Sequence, residues 1–217
     1  MSILVGIGGC GRNTAEKMLA RLPSEFDLYT FDQIIDIPRG ISVLQLFQNL
    51  KGVSEPKMLC AEQAAYDYLL GMDSPLYIVV GFGRSTGTNV SLTLAKEAHA
   101  RGIPVYCFVM TPFAFEGREN EIAKAALIRL GLYATAILTF SNDLLMDVLG
   151  SSAKLGAAFS TQCVWVTRAL LAIHAYQERG EAALLTEHLG PNRRIEMGVV
   201  FTTTPSSACA FLNAAHK

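Results

Sequence analysis

The sequence predicts an α/β domain built on a doubly wound, mostly parallel sheet, and three observations carry that prediction. Short apolar runs at residues 3–7, 28–31, 76–80, 105–110 and 136–140 are rich in Val, Ile, Leu and aromatics, the pattern of strands buried on both faces. Longer segments of helical character, at residues 13–22, 57–70, 88–101 and 118–130, alternate with them as in βαβ units. Gly102 and Gly131 stand just ahead of the next strand, where helices stop. After residue 140 the pattern changes. A short helix over 143–149 leads to Gly150-Ser151-Ser152, then a long apolar helix over 155–178, a strand over 195–203 and a small helix over 207–215.

Composition narrows the function classes. The 217 residues are enough for one domain whose core needs neither disulfides nor metals. Net charge is −1 and 17% of residues are charged, so nothing electrostatic argues for nucleic acid or an anionic membrane as partner. With 51% hydrophobic residues, part of the apolar surface is expected to be covered by another subunit or partner. Cys10, Cys60, Cys107, Cys163 and Cys209 are isolated, which fits small buried side chains in a reducing compartment better than a disulfide frame or zinc site. The apolar stretches 125–140 and 163–175 are interrupted by Arg129 and Arg168 and fall short of the roughly 20 residues of a membrane span. The apolar start at residues 3–7 is too short for a signal peptide, so a cytoplasmic location is expected. His99, His174, His188 and His216 have no ligand spacing, and no metal-binding residue is expected; Trp165 reads as core or interface.

Two glycine-rich runs carry the chemistry. Gly6-Ile7-Gly8-Gly9-Cys10-Gly11 follows a strand and opens a helix, where glycines let the backbone approach a phosphate and present its N–H groups. It also reads as the G-x-G-x-x-G dinucleotide fingerprint, with Asp32 about twenty residues on, where a ribose-binding carboxylate would stand. That keeps an NAD-dependent oxidoreductase open at this point, as is a purely structural turn. The second run, Gly81-Phe82-Gly83-Arg84-Ser85-Thr86-Gly87-Thr88, is again a strand-to-helix turn. A dinucleotide domain has no use for a second phosphate cradle there; a nucleoside triphosphate lying across several strand ends does. Thr86 and Thr88 offer hydroxyl donors and Arg84 a charged fork.

Four blocks of sequence resemble the FtsZ/tubulin superfamily. Gly8-Gly9-Cys10-Gly11-Arg12-Asn13 looks like the first nucleotide loop of FtsZ, and the Gly83-to-Thr88 run like the signature G-G-G-T-G-[ST]. Thr111-Pro112-Phe113-Ala114-Phe115-Glu116-Gly117 is close to T-K-P-F-x-F-E-G, and Ser141-Asn142-Asp143-Leu144-Leu145 to P-N-D-[KR]-L-L. They occur in the family's order at compatible spacings, and the last two are the more specific. The resemblance covers about residues 3–180 and implies a nucleotide-binding domain over 1–180 that includes the long helix, with 181–217 a short C-terminal remnant or appendage.

Position by position, the resemblance implies a GTP or GDP site, with magnesium as the accompanying ion. Gly8, Gly9, Cys10, Gly11, Gly83, Arg84, Ser85, Thr86, Gly87 and Thr88 would surround the phosphates. Asn13 matches a guanine contact, Asn142 lies near base and ribose, Glu116 near the ribose, and Phe159 matches the aromatic that packs on the base. Asp32 falls where the family has an Asp near the γ-phosphate and magnesium. For Phe159 ordinary core packing is the competing reading, and for Asp32 a strand-end cap.

The chain departs from the family in four places. Arg84-Ser85 replace two glycines of the signature. Residues 34–56 are shorter than the family's, with Gly52-Val53-Ser54-Glu55-Pro56 as the reduced counterpart of its γ-phosphate loop. Cys163, beside Gln162, stands where Asp or Asn reads the guanine edge, and a thiol is a poor partner for those groups. The trans-acting loop N-x-D-F-x-D-V becomes His188-Leu189-Gly190-Pro191-Asn192-Arg193-Arg194-Ile195-Glu196, with both acids gone; Glu187 and Glu196 lack the spacing. The sequence then ends at Lys217 with most of the family's second domain unrepresented. These features predict a cytoskeletal protein that assembles with itself or with a full-length FtsZ-like homologue, a weak GTPase at most with no assignable catalytic residue. The alternative is an interaction module of the same fold that has lost nucleotide.

Overall fold

The computed structural model describes residues 1–36, 41–150, 152–181, 183, 187 and 194–197. Eight strands form one sheet: β1 (Ser2–Ile7), β2 (Phe26–Asp36), β3 (Ile41–Asn49), β4 (Lys57–Ala61), β5 (Leu76–Gly81), β6 (Val105–Thr111), β7 (Ala136–Ser141) and β8 (Arg194–Glu196). The helices are α1 (Gly8–Met18), α2 (Gln63–Leu70), α3 (Ser85–Ala100), α4 (Gly117–Leu130), α5 (Asn142–Leu149) and α6 (Leu155–Glu178), with a 3-10 turn at Leu19–Arg21. Strand order is β4-β3-β2-β1-β5-β6-β7-β8. The run from β2 through β8 is parallel, and β3 and β4 add on antiparallel at one edge.

Every parallel strand end needs a crossover, and the crossovers bury two faces. One face packs Ala65 and Leu69 of α2, Leu94, Ala95 and Ala98 of α3, and Ala123, Leu127 and Leu130 of α4 over Ile3, Val5, Ile78 and Val80. The other packs Ala15 and Met18 of α1 and Val166, Leu170 and Ile173 of α6 over Leu4, Tyr77, Tyr106 and Phe108. The chain leaves β1 toward β2 on one side and re-enters at β5 on the other, so the order reverses between β1 and β5. Crevices for ligands open at the carboxyl ends of strands at such a switch point. Both glycine runs sit there.

The mostly parallel α/β sheet is as predicted, and several element bounds shift. Residues 57–70 are not one helix. They divide into β4 and α2 at Glu62, whose φ of 52° breaks the chain direction. Residues 41–49, left outside any predicted element, form β3, which pairs with an extended β2 from Leu28↔Asn49 to Asp36↔Ile41. Pairing along the hairpin carries β2 beyond the predicted end at Phe31. The helix expected from residue 13 already begins at Gly8, and that expected from 88 begins at Ser85, so both glycine runs are themselves helix starts. Gly102 ends α3 with φ of 74°. The predicted strand 195–203 is described only through β8, and the helix over 207–215 lies outside the described residues. Among the described residues no helix is long and apolar enough to cross a membrane.

Candidate functional site

Two helix N-termini meet at the switch point. β1 runs extended to Ile7, and the chain turns into α1 at Gly8 with φ of 66°. β5 ends at Gly81, Gly83 takes φ of 105°, and α3 starts at Ser85. The two runs are seated on one another: a Cβ on Gly8 would lie 3.4 Å from the Gly87 nitrogen, and one on Gly81 would lie 2.8 Å from the Cys10 Cβ. A Cβ on Gly11 would lie 2.2 Å from the Val79 carbonyl oxygen, and one on Gly87 2.5 Å from that of Gly81. Neither α1 nor α3 has a capping side chain or an acid in its first turn. Their first N–H groups and the positive ends of two helix dipoles therefore face the same space. By contrast, α5 is capped, its Asp143 N–H donating to the Ser141 hydroxyl at 3.2 Å.

That space is a cleft of about 400 Å³. Of the residues expected at the site, Gly8, Gly9, Cys10, Arg84, Thr86, Gly87, Glu116, Asn142 and Phe159 line it. Ile7, Gly81 and Phe82 of the two glycine runs and Pro112 of the third block line it as well, together with Met110 and Glu119, which sequence reasoning had not singled out. Glu119 had a readable signal: it stands three residues after Glu116, on the first turn of α4. Met110, inside β6, had none. Phe159 is 36% exposed, so it is not a core residue.

The other expected residues are placed differently. Gly11 and Gly83 hold the loops in shape rather than facing the cleft. Asn13 and Ser85 are exposed beside it. Asp32 is ion-paired with Arg12, and its Oδ1 accepts the Gln33 N–H at 2.9 Å. Gln33 in turn accepts the Thr86 hydroxyl at 2.7 Å, tying the end of β2 to the start of α3. Thr88, the fourth residue of α3, is buried, and its hydroxyl is the one buried side-chain polar atom among the described residues without a partner.

Cys163 is buried in the core between α1 and α6, its thiol donating to the Thr14 carbonyl oxygen at 3.7 Å, and burial pushes that thiol's pKa up. It is neutral and outside the cleft lining. Its neighbour Gln162, 3% exposed, donates to Asn142 Oδ1 at 3.0 Å, so an amide pair stands at the cleft wall where Cys163 was expected. Glu116 Oε2 accepts the Phe113 N–H at 2.9 Å and closes the turn ahead of α4.

One expectation is overturned. Residues 50–56, read as the counterpart of a γ-phosphate loop, join β3 to β4 at the amino end of β2, where Lys51 Nζ donates to the Leu22 carbonyl oxygen at 2.6 Å. The cleft is at the carboxyl end. Because β3 runs antiparallel to β2, the chain has returned to the far end of the sheet before it reaches Gly52, and Glu55 is remote from the phosphate cradle. Asn192 and its neighbours 188–193 lie outside the described residues.

No protein-family model matches the chain. Curated and solved relatives do. The cell division protein FtsZ of Coxiella burnetii is 31% identical over 169 residues, covering 72% of this chain and 44% of that protein. A variant of FtsZ from M. jannaschii superposes with a TM-score of 0.61 at 18% identity, over 90% of this chain and 64% of that one. CetZ2 from Haloferax volcanii, solved as a GTPγS-bound protofilament, gives 0.50 at 18% identity, over 82% and 59%. The chain belongs to the FtsZ/tubulin superfamily. It spans less than half the length of the curated FtsZ relatives it matches. Within this FtsZ-like fold the four sequence blocks fall at the starts of α1, α3, α4 and α5, and residues from each line the one cleft.

Proposed function

We propose that this FtsZ-like chain binds a guanine nucleotide in the cleft and assembles, with itself or with a longer homologue, with slow or no hydrolysis. The observation that carries the reading is the abutment of the two glycine runs, which aims two uncapped helix N-termini at one space. A phosphate chain on that cradle would leave Phe159 for the base and the Asn142–Gln162 amide pair for its edge. Nucleotide-linked assembly is supported by the CetZ2 neighbour, solved as a nucleotide-bound protofilament, and by the chain's 51% hydrophobic content. Slow hydrolysis is the reading supported by the loss of both of the family's trans-acting acids in the segment that holds Asn192, Arg193 and Arg194.

Purified chain given GTP should sediment in a nucleotide-dependent manner while releasing phosphate far more slowly than it assembles. A monomer indifferent to GTP defeats the assembly reading. A denatured supernatant without guanine nucleotide, together with no thermal shift from GTP, would favour the nucleotide-free interaction module. A ligand at 100 times its dissociation constant should add about 2.7 kcal/mol. NAD in the same panel tests the dinucleotide alternative.

A further inference from the structure

A helix that covers a sheet turns its polar side to water, and α1 and α3 obey that rule. They expose Asn13, Glu16 and Lys17, and Asn89, Thr93 and Lys96. The helix α4 does not. While Ala123, Ala126, Leu127 and Leu130 are buried, Ile122, Ala125 and Ile128 stand exposed at i, i+3 and i+6. At 100° per residue they share about a third of the helix circumference. Leu132 follows in the turn after the helix. Ile128 and Leu132 are 65% and 66% exposed, so no described part of this chain covers them. An apolar stripe set among charges marks a protein contact.

The order of residues along the stripe says which protein. Glu121 and Ile122 stand four and three residues before Ala125, and Ile128 and Arg129 stand three and four residues after it. The pattern is symmetric in its apolar side chains and antisymmetric in its charges. Reversed, it is complementary to itself. Glu121 has its own Lys124 at 2.9 Å, whereas Arg129 is exposed and has no salt bridge among the described residues. Alanine at the centre lets two helix axes approach to about 8 Å.

We propose that the outer face of α4 is a two-fold interface, on which a second copy of this chain packs its own α4 antiparallel to the first. A two-fold axis beside Ala125 sets Ile122 against Ile128 of the partner subunit and brings Glu121 within reach of the partner's Arg129, each contact being made twice. A parallel pairing would oppose like charges instead. The helix α4 returns the chain from the carboxyl end of β6 to the amino end of β7. Two copies paired this way therefore point their strands in opposite directions, and their clefts open at opposite ends. Glu121, Ala125 and Arg129 are outside the cleft lining, so the inference is independent of the nucleotide reading. One helix pair is small beside the roughly 800 Å² per partner of a stable interface, and a dissociation constant on the order of 10–100 µM is expected.

The test is sedimentation velocity of the whole chain, freed of nucleotide, from about 1 to 300 µM, the range that brackets that constant. The native chain should pass from monomer to dimer, and Ile128→Asp should weaken the dimer at least about tenfold. Glu121→Arg alone and Arg129→Glu alone each create two like-charged contacts and should stay monomeric. Mixed in equal amounts the two variants should dimerise, because every contact then joins an Arg to a Glu. These side chains are exposed, and native melting temperatures at low concentration separate association from folding. A native chain that stays monomeric throughout overturns the proposal and leaves the stripe to a different partner. A dimer indifferent to Ile128→Asp, or a mixture no more associated than its components, overturns it as well. A dimer that forms only with GTP is end-to-end assembly, which defeats this interface and leaves the nucleotide reading standing.

Discussion

The two glycine runs look alike in sequence, and their glycines serve different ends. In the first run Gly6 and Gly11 have no room for a Cβ, the nearest atoms being 2.8 and 2.2 Å away, whereas Gly9 opens on the cleft with no neighbour within 4 Å. In the second, Gly81, Gly83 and Gly87 are the crowded positions, and Arg84 and Ser85 carry exposed side chains between them. A glycine motif thus mixes positions that let two backbones touch with positions that let a ligand in. The signature's replacements at Arg84 and Ser85 fall on positions that tolerate side chains. They leave the fold intact and change what the cleft offers.

The largest effect follows from the crowded positions. Gly11→Ala puts a methyl inside the Val79 carbonyl, and the helix α1 must move off β5; about 3 kcal/mol of stability should be lost. For a chain of this size that is a fall in melting temperature of about 6–12 °C, read by circular dichroism. Gly87→Ala, against the Gly81 carbonyl at 2.5 Å, should behave alike. Melting within a degree or two of the native chain would show that the runs are not fixed against one another.

A smaller effect of opposite sign is expected at Thr88. Its buried hydroxyl has no partner, so Thr88→Val, nearly isosteric, should stabilise the free protein by about 1 kcal/mol. Thr88 is outside the residues that line the cleft, so the same change should leave GTP affinity within about twofold of native. Denaturant melts with and without GTP read both. A loss of stability in the free protein would mean that the hydroxyl has a partner after all.

Legibility followed how local the signal was. Strands β1, β5, β6 and β7 were readable because each is an apolar run buried on both faces by its neighbours, as in Leu76–Gly81. The glycine runs were readable because phosphate chemistry demands glycine at strand-to-helix turns. What lay hidden depended on partners distant in sequence. Lys57–Ala61 consists largely of good helix formers, and only pairing with β3 makes it a strand. Ile41–Asn49 is a strand because β2 extends to meet it, and that hairpin sends residues 50–56 to the wrong end of the sheet for phosphate. At the cleft, Cys163 and Gln162 are adjacent in sequence, yet the helix turns the first into the core and the second toward Asn142. The Arg12–Asp32 pair, 20 residues apart in sequence, joins the start of α1 to β2, a contact that neither residue type announces.

The finest distinction is at Gly9, where fold and ligand pull in opposite directions. Gly9 lies in the first turn of α1, is not among the left-handed glycines, and has open space where a Cβ would go. Alanine loses less conformational freedom than glycine on entering a helix, so Gly9→Ala should leave the free protein as stable as before or raise it by up to about 1 kcal/mol. The added methyl would stand on the cleft floor beside the uncapped N–H groups of α1, where phosphate oxygens need to approach the backbone closely. GTP affinity should therefore fall about tenfold, the equivalent of a single charge-assisted hydrogen bond held at a distance. The result to look for is the split itself, a melting temperature that holds or rises while the affinity drops. If Gly9→Ala binds GTP as well as the native chain does, the phosphates do not pass over the first run, and Gly8 and Gly87 meet for packing alone.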